Sequence, residues 1–141
     1  PDTGTGAILR RMPDARTAAS WAILAGGLCI TLGSLIYAGQ PKDFGWFVGA
    51  APYLGWALVP YGVHALAVRL VAGSPAASRV LLLASALLVG MTSGLLYQTF
   101  VLAPDAQGGL VFLFLPLWQL LGLLPFWGIA WRARVRERAA R

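Results

Sequence analysis

The chain has 141 residues, of which 58% are hydrophobic and only 11% are charged, and its mean hydropathy is +0.71. A water-soluble domain of this length needs a larger charged fraction on its surface, so the composition excludes that class and indicates an integral membrane protein. The formal net charge is +6, but the basic residues form no binding motif interleaved with aromatic residues, and nucleic acid is therefore not an expected partner.

Four stretches without a formal charge divide the sequence, and each contains 25 or 26 residues. A helix of this length reaches about 37 Å, which exceeds the hydrocarbon core of a bilayer at about 30 Å. The stretches lack the alternation of a membrane β-strand, so helices must satisfy their backbone hydrogen bonds. We expect an all-α polytopic membrane protein, with two antiparallel hairpins made of four transmembrane helices at residues 17-39, 44-68, 80-103 and 109-131.

The basic residues predict the orientation of these helices. Ten of the eleven lie in the N-terminal tail at 1-16, in the connection between the second and third helices, or in the Arg-rich tail at 132-141, whereas only Lys42 lies opposite. Under the positive-inside rule, both termini are cytoplasmic and the chain belongs in the inner (plasma) membrane. Lipid headgroups are the expected contacts of four arginines near the end of the chain, namely Arg132, Arg134, Arg136 and Arg138.

The first predicted helix carries Ala25, Cys29 and Gly33 at a spacing of four residues, which places them on one face. Small residues at this spacing allow two helices to approach closely in lipid, so we expect this face to pack against another helix. Cys29 is the single cysteine, so neither an intrachain disulfide nor a thiolate metal site is expected.

The second predicted helix has one face with small, aromatic and polar members: Gly49, Tyr53, Trp56, Ala57, Pro60 and His64. This face could line a groove that binds a quinone, a pigment or a lipid tail, with Tyr53, Trp56 and His64 as the contacting residues. The preferred interpretation is inward packing with hydrogen bonds to neighbouring helices. For His64, the only histidine, the functional alternatives are haem or chlorophyll ligation, proton transfer and a hydrogen bond to a quinone.

The third predicted helix contains the segment GMTSG, a GxxxG motif formed by Gly90 and Gly94, with Gln98 four residues further on. We expect this stripe to pack inside the bundle, against Ala25, Cys29 and Gly33, in preference to a neighbouring subunit.

The fourth predicted helix places Gln119 near the centre of the bilayer, where an unbonded amide would cost several kcal/mol. The glutamine therefore requires a partner inside the protein, whereas most of the leucines of this helix are expected to face lipid.

The motifs that are missing limit the function. None of the four charge-free stretches holds a carboxylate that could carry a coupled ion, and no nucleophile–base pair or known catalytic or metal-binding motif is present. We therefore expect no catalytic or metal site, and at most a non-catalytic subunit of an enzyme. The first candidate function is an accessory or structural subunit packed against a larger membrane complex, of respiratory or photosynthetic type. The alternative is an oligomeric binding protein or passive carrier for a small molecule, a quinone or a lipid, which would use the helix-two groove.

Overall fold

The computed structural model describes residues 14–102 and 110–140, and these residues form four α-helices. The helices are α1 (Ala15–Gly39), α2 (Phe44–Leu70), α3 (Pro75–Tyr97) and α4 (Val111–Ala139), and α3 continues into a π-helical turn at Gln98–Leu102. The all-α prediction is confirmed. Residues 1–13, 103–109 and 141 lie outside the described part, and with them most of the predicted N-terminal tail.

Side-chain caps begin three of the helices. The Asp14 carboxylate accepts a hydrogen bond from the backbone N–H of Thr17 at 2.7 Å, and this bond holds the pKa of Asp14 below its ordinary value. Asp43 caps α2 and Ser74 caps α3 in the same way, each accepting from the backbone N–H three residues later. These caps satisfy donors that a helix N-terminus leaves free.

Two helices extend further than the charge-free stretches. The third helix begins at Pro75 and not at residue 80, and the fourth continues to Ala139. The predicted tail at 132-141 is therefore helical as far as Ala139, and four of its five arginines lie in the last turns of α4. Charged residues mark where a chain leaves the hydrocarbon region, but arginine is a good helix former and does not end a helix.

Three of the four helices are long and apolar enough to cross a membrane: α1, α4, and α3 together with its π-helical turn. Helix α2 has 27 residues but does not meet the same criterion for hydropathy. Its glycines, prolines, tyrosines and histidine lower its hydropathy without adding a charge before Arg69. The described part of the chain is thus all-helical, and its three long apolar helices indicate a membrane protein.

Helix α3 packs mainly against α1 and α4, and α2 packs against the same two helices and, less extensively, against α3. Two buried apolar clusters lie between them. The larger extends from Leu24 through Leu81 and Leu88 to Leu123, and the smaller contains Leu35 and Phe112.

Gly27 is the point where α1 lies closest to side chains of both α2 and α3. A Cβ at Gly27 would overlap Cγ2 of Val89 and would lie 2.9 Å from Cε1 of Tyr61. The missing side chain is therefore what lets the helices approach here. The sequence analysis did not single out this glycine.

The GxxxG stripe lies on the surface of the described bundle, whereas the prediction placed it inside. Gly90, Gly94 and Gln98 are exposed, and a Cβ added to either glycine would meet no described atom within 4 Å. On α1, Ala25, Cys29 and Gly33 are exposed as well. The predicted packing of these two faces against each other is therefore wrong for the described residues, because α1 and α3 meet through Gly27 and Val89, which lie on other faces.

Candidate functional site

A polar network joins all four helices in the middle of the bundle. The hydroxyl of Tyr61 on α2 lies 2.8 Å from Oγ1 of Thr31 on α1 and donates to Oγ1 of Thr92 on α3 at 3.1 Å. Gln119 on α4 donates from Nε2 to the same Thr92 oxygen at 2.6 Å. The two threonines also donate to backbone carbonyls of their own helices, with Thr31 bonded to the carbonyl of Gly27. We call these four side chains the central network.

The central network supplies the partner that Gln119 was predicted to need. The glutamine is 2% exposed, and Phe112 and Pro116 on the same side of α4 are buried too. The leucines at 113, 117, 121 and 124 are exposed, as expected for a lipid-facing surface. A polar side chain in the hydrocarbon region thus bonds within the protein, which makes this part of the prediction correct.

His64 belongs to a second network, which we call the histidine network. Its ring is fully buried, with 0% exposed. The indole Nε1 of Trp127 donates to His64 Nδ1 at 3.0 Å, and His64 Nε2 lies 3.0 Å from Oγ of Ser85 and 3.3 Å from the carbonyl oxygen of Leu81. The hydroxyl of Ser85 donates onward to the Leu81 carbonyl at 2.9 Å.

These contacts determine the protonation of the imidazole. An indole N–H can only donate, so His64 Nδ1 must offer a lone pair and carries no proton. The hydrogen of Ser85 is directed to Leu81, so the serine oxygen accepts from His64 Nε2. His64 is therefore neutral, with its proton on Nε2, and both nitrogens already have partners. A haem or chlorophyll would have to displace Trp127 from Nδ1 or the proton from Nε2.

The predicted face of α2 is divided into two parts with different surroundings. Ala57, Pro60 and His64 are buried, whereas Tyr53 is 58% exposed. Trp56 lies between these parts and donates from Nε1 to the carbonyl oxygen of Leu113 on α4 at 2.8 Å. The three residues proposed for cofactor binding therefore do not share one groove.

The part of this α2 face that contains Gly49 and Tyr53 lines a surface cavity of about 440 Å³. Tyr53 and Gly49 form one wall, Leu35 lies on α1, and the indole of Trp46 covers Gly39 at the end of α1. The volume is in the range of small-molecule sites, which are commonly about 300–1,000 Å³. Almost all of the lining is apolar, so the cavity suits a hydrocarbon chain or another apolar group.

No group of three or more His, Cys, Asp or Glu side chains that could hold a metal ion occurs among the described residues. No family of proteins, curated protein or solved structure matches the chain. Function must therefore be inferred from the arrangement of the side chains.

Sequence reasoning missed the partners within both networks. Thr31, Thr92 and Ser85 are ordinary residues of membrane helices, and each donates to a carbonyl four residues earlier. Such hydroxyls are compatible with many positions in a helix. The available signal was that Gln119 and His64 each needed a bonding partner, and it did not specify which hydroxyl would provide it.

Proposed function

We propose that this protein is a small accessory or structural subunit of the inner (plasma) membrane that packs against a larger membrane complex, of respiratory or photosynthetic type. The observation that carries the proposal is that the side chains of the central network and of the histidine network are bonded to one another. His64 and Gln119, the interior side chains best able to bind a ligand, both have their hydrogen-bond partners within the bundle. An interior of this kind fixes the relative positions of the helices and offers no reactive group to a substrate.

We further propose that α2 crosses the membrane with the other three helices, as part of two antiparallel hairpins. Its 27 residues lie within the range of the other helices, and its polar members Tyr61 and His64 are bonded to neighbouring helices. These two polar groups are thereby removed from lipid. At one end of the bundle Gly39 lies against Trp46, which is consistent with a tight turn between α1 and α2.

The distribution of charge supports cytoplasmic termini. The backbone N–H of Ala76 donates to a carboxylate oxygen of Glu137, so the start of α3 and the end of α4 lie together. This places Arg69, Arg79 and the arginines of α4 at one end of the bundle, as the positive-inside rule requires for a cytoplasmic surface. A reporter fused after Gly39 should indicate a location outside the cytoplasm, and a reporter fused at Gly73 should indicate a cytoplasmic location. A cytoplasmic signal from both sites would contradict the four-span arrangement.

The exposed stripe of α3 is the surface that we propose for contact with the partner complex. Helices in lipid gain no hydrophobic driving force from association, so close packing across small residues contributes much of the attraction. Gly90 and Gly94 offer this shape on the outside of the bundle, where no described residue fills it. The stripe is therefore better suited to contact with a partner subunit than to packing within the isolated chain.

Co-purification from native membranes, with two glycine variants, tests the proposal. Gly94→Leu should abolish recovery of the large complex while the isolated protein stays at least as stable to thermal unfolding, because the added side chain has open space and leucine is a better helix former than glycine. Gly122→Leu is the matched control, since Gly122 on α4 is also exposed with no described atom within 4 Å of a Cβ. This control should retain the complex. Recovery of the complex with Gly94→Leu would contradict the proposed surface.

The apolar cavity beside Tyr53 favours the second candidate, an oligomeric binding protein or passive carrier for a small molecule, a quinone or a lipid. The same purification separates the two functions, because a homo-oligomer that retains a bound apolar molecule would support the second. In that case Gly49→Trp, which would fill the cavity, should release the molecule. Gly55→Trp is the control, because Gly55 is exposed on the same helix but does not line the cavity.

A further inference from the structure

A polar pocket lies at the end of the bundle where α3 begins and α4 ends. Its volume is about 210 Å³, and most of its lining is polar, in contrast to the apolar cavity beside Tyr53. The pocket is formed by the connection before α3 and by the last turns of α4, through Ala72, Gly73, Ser74, Arg134, Glu137 and Arg138. Neither proposed function uses it.

Two guanidinium groups give the pocket its chemistry. Arg134 and Arg138 are separated by four residues on α4, so their side chains leave the same face of the helix, about 5–6 Å apart at Cβ. The guanidinium carbon of Arg134 lies 5.7 Å from the centre of the Trp131 ring, a cation–π contact that orients it. The planar donor arrays of two guanidinium groups suit the oxygens of a phosphate.

Glu137 is the one acidic side chain of the pocket, and its hydrogen bond to the start of α3 limits its repulsion of an anion. One carboxylate oxygen accepts from the backbone N–H of Ala76 at 3.1 Å, so Glu137 is directed toward the start of α3. Ser74 accepts from the backbone N–H of Ala77. The N-terminus of α3 thus already has internal acceptors, and the arginines remain as the groups that can bind an external anion. Two guanidinium groups and one carboxylate leave the pocket with a positive charge.

We propose that this pocket binds the phosphodiester headgroup of an anionic phospholipid. The position supports a lipid as the source of the phosphate, because α4 has no charged residue between Val111 and Trp131 and then carries four arginines within seven residues. Arg134 and Arg138 therefore begin where the apolar span ends, at the depth of the headgroups, and Trp131 has the preference of indole for this interface. Basic pockets between transmembrane helices are a known form of headgroup site. The proposal depends on the membrane location alone and is independent of the accessory-subunit function.

Native mass spectrometry of the purified full chain in a neutral detergent tests the site, with phosphatidylglycerol as the probe and phosphatidylcholine as the zwitterionic comparison. The double variant R134Q/R138Q should raise the Kd for phosphatidylglycerol by at least about tenfold, because the charge-assisted hydrogen bonds from the two guanidinium groups to the phosphate are lost. The matched control is R132Q/R136Q, which removes the same charge from the same helix at residues that do not line the pocket. It should change the Kd by no more than about threefold.

A third variant tests the sign of the electrostatics. Glu137→Gln keeps an amide oxygen that can accept from the Ala76 N–H but removes the negative charge, so it should tighten binding of phosphatidylglycerol. Circular dichroism should show the same helix content for all variants, since every substituted side chain lies at the end of α4.

Three results would overturn the proposal. Equal weakening in the two double variants would indicate diffuse attraction to the arginines without a pocket. Equal affinity for phosphatidylcholine and phosphatidylglycerol would remove the preference for an anionic lipid. Displacement of phosphatidylglycerol by inorganic phosphate at concentrations comparable with the lipid, but not by chloride at the same ionic strength, would show a site for the free anion.

Discussion

Replacing Gly27 by alanine tests whether the shape of α1 sets its distance from α2 and α3. The new Cβ would overlap Val89 and would lie 2.9 Å from Cε1 of Tyr61, so at least one neighbour must move. Val89 is β-branched and has one strongly preferred rotamer in a helix. The hydroxyl of Tyr61 is 2.8 Å from Thr31 and 3.1 Å from Thr92. Neither side chain can move away without a cost in free energy.

The magnitude can be worked out in two ways. Adding a methyl group to a packed interior costs about 1–3 kcal/mol. If Tyr61 moves instead, it gives up its hydrogen bond to Thr92, worth about 0.6 kcal/mol in a membrane protein, and its 2.8 Å contact with Thr31. Alanine is also a better helix former than glycine by about 1 kcal/mol, which offsets part or all of these costs. The net loss for Gly27→Ala alone is therefore small enough to need a control.

Gly26 provides that control, because it is the next residue on the same helix and a Cβ there would meet no described atom within 4 Å. Both alanine variants gain the same helix propensity, so the difference between them isolates the steric contact. Gly27→Ala should be less stable than Gly26→Ala by about 1–3 kcal/mol, measured by reversible unfolding in mixed micelles with tryptophan fluorescence. Equal stabilities, within about 0.5 kcal/mol, would refute the close approach at Gly27.

Four further substitutions at three residues test single contacts, and all but His64→Gln use the same unfolding assay. Gln119→Leu removes a donor to Thr92 and should cost about 0.6–1.7 kcal/mol, and no loss would mean that this bond is absent. His64→Leu leaves the Trp127 indole without its acceptor and should cost about 1–3 kcal/mol, whereas His64→Gln should leave any visible absorption unchanged, and loss of a pigment band would contradict a structural histidine. Asp14→Ala should cost about 1 kcal/mol near neutral pH, where the capping carboxylate is ionised. The pKa of Asp14 is lowered by folding, so its contribution is present above the ordinary carboxyl value and is lost as the pH falls through the lowered pKa; a difference that persists in acid would argue against the cap.

The four helices could be predicted from charge alone because an uncharged stretch of this length has few alternatives. The helix ends were less predictable. Arg79 lies within α3 and Arg132 within α4, although each directly flanks a charge-free stretch. An arginine marks the depth at which a chain meets the headgroups, but the helix continues until a cap or turn ends it. For α3 the cap is Ser74, which lies five residues before Arg79.

Gly94 and Gly27 illustrate what glycine spacing can and cannot predict. A GxxxG motif indicates that another helix can approach, but it does not say whether that helix belongs to the same chain. Gly94 and its partner glycine face outward, whereas Gly27 contacts Val89 and Tyr61 without a second glycine four residues away. The contact at Gly27 depends on large side chains that fill the space it leaves. Those side chains come from other helices, so no local pattern around Gly27 could predict them.

The hydrogen bonding of Gln119 and of His64 was predictable from the sequence to different extents. The need for a partner followed directly from the position of Gln119, because an unbonded amide in hydrocarbon is costly. The identity of the partner of His64 depended on packing, since Trp127 lies 63 residues away on α4. Tryptophan satisfies its indole N–H wherever an acceptor is available, and the bundle places His64 Nδ1 within 3.0 Å.

Glycine substitutions separate the folding of this bundle from its association with a partner. The central network and the contact at Gly27 act inside the chain, so Gly27→Ala should lower the stability of the isolated protein and with it the amount of any complex. Gly94 has open space in the isolated protein, so Gly94→Leu should reduce the complex alone. Measuring both quantities for both variants distinguishes a subunit that recognises its partner through α3 from one that is only carried along by correct folding. If the two variants reduce the complex and the stability in the same proportion, α3 has no separate role in recognition.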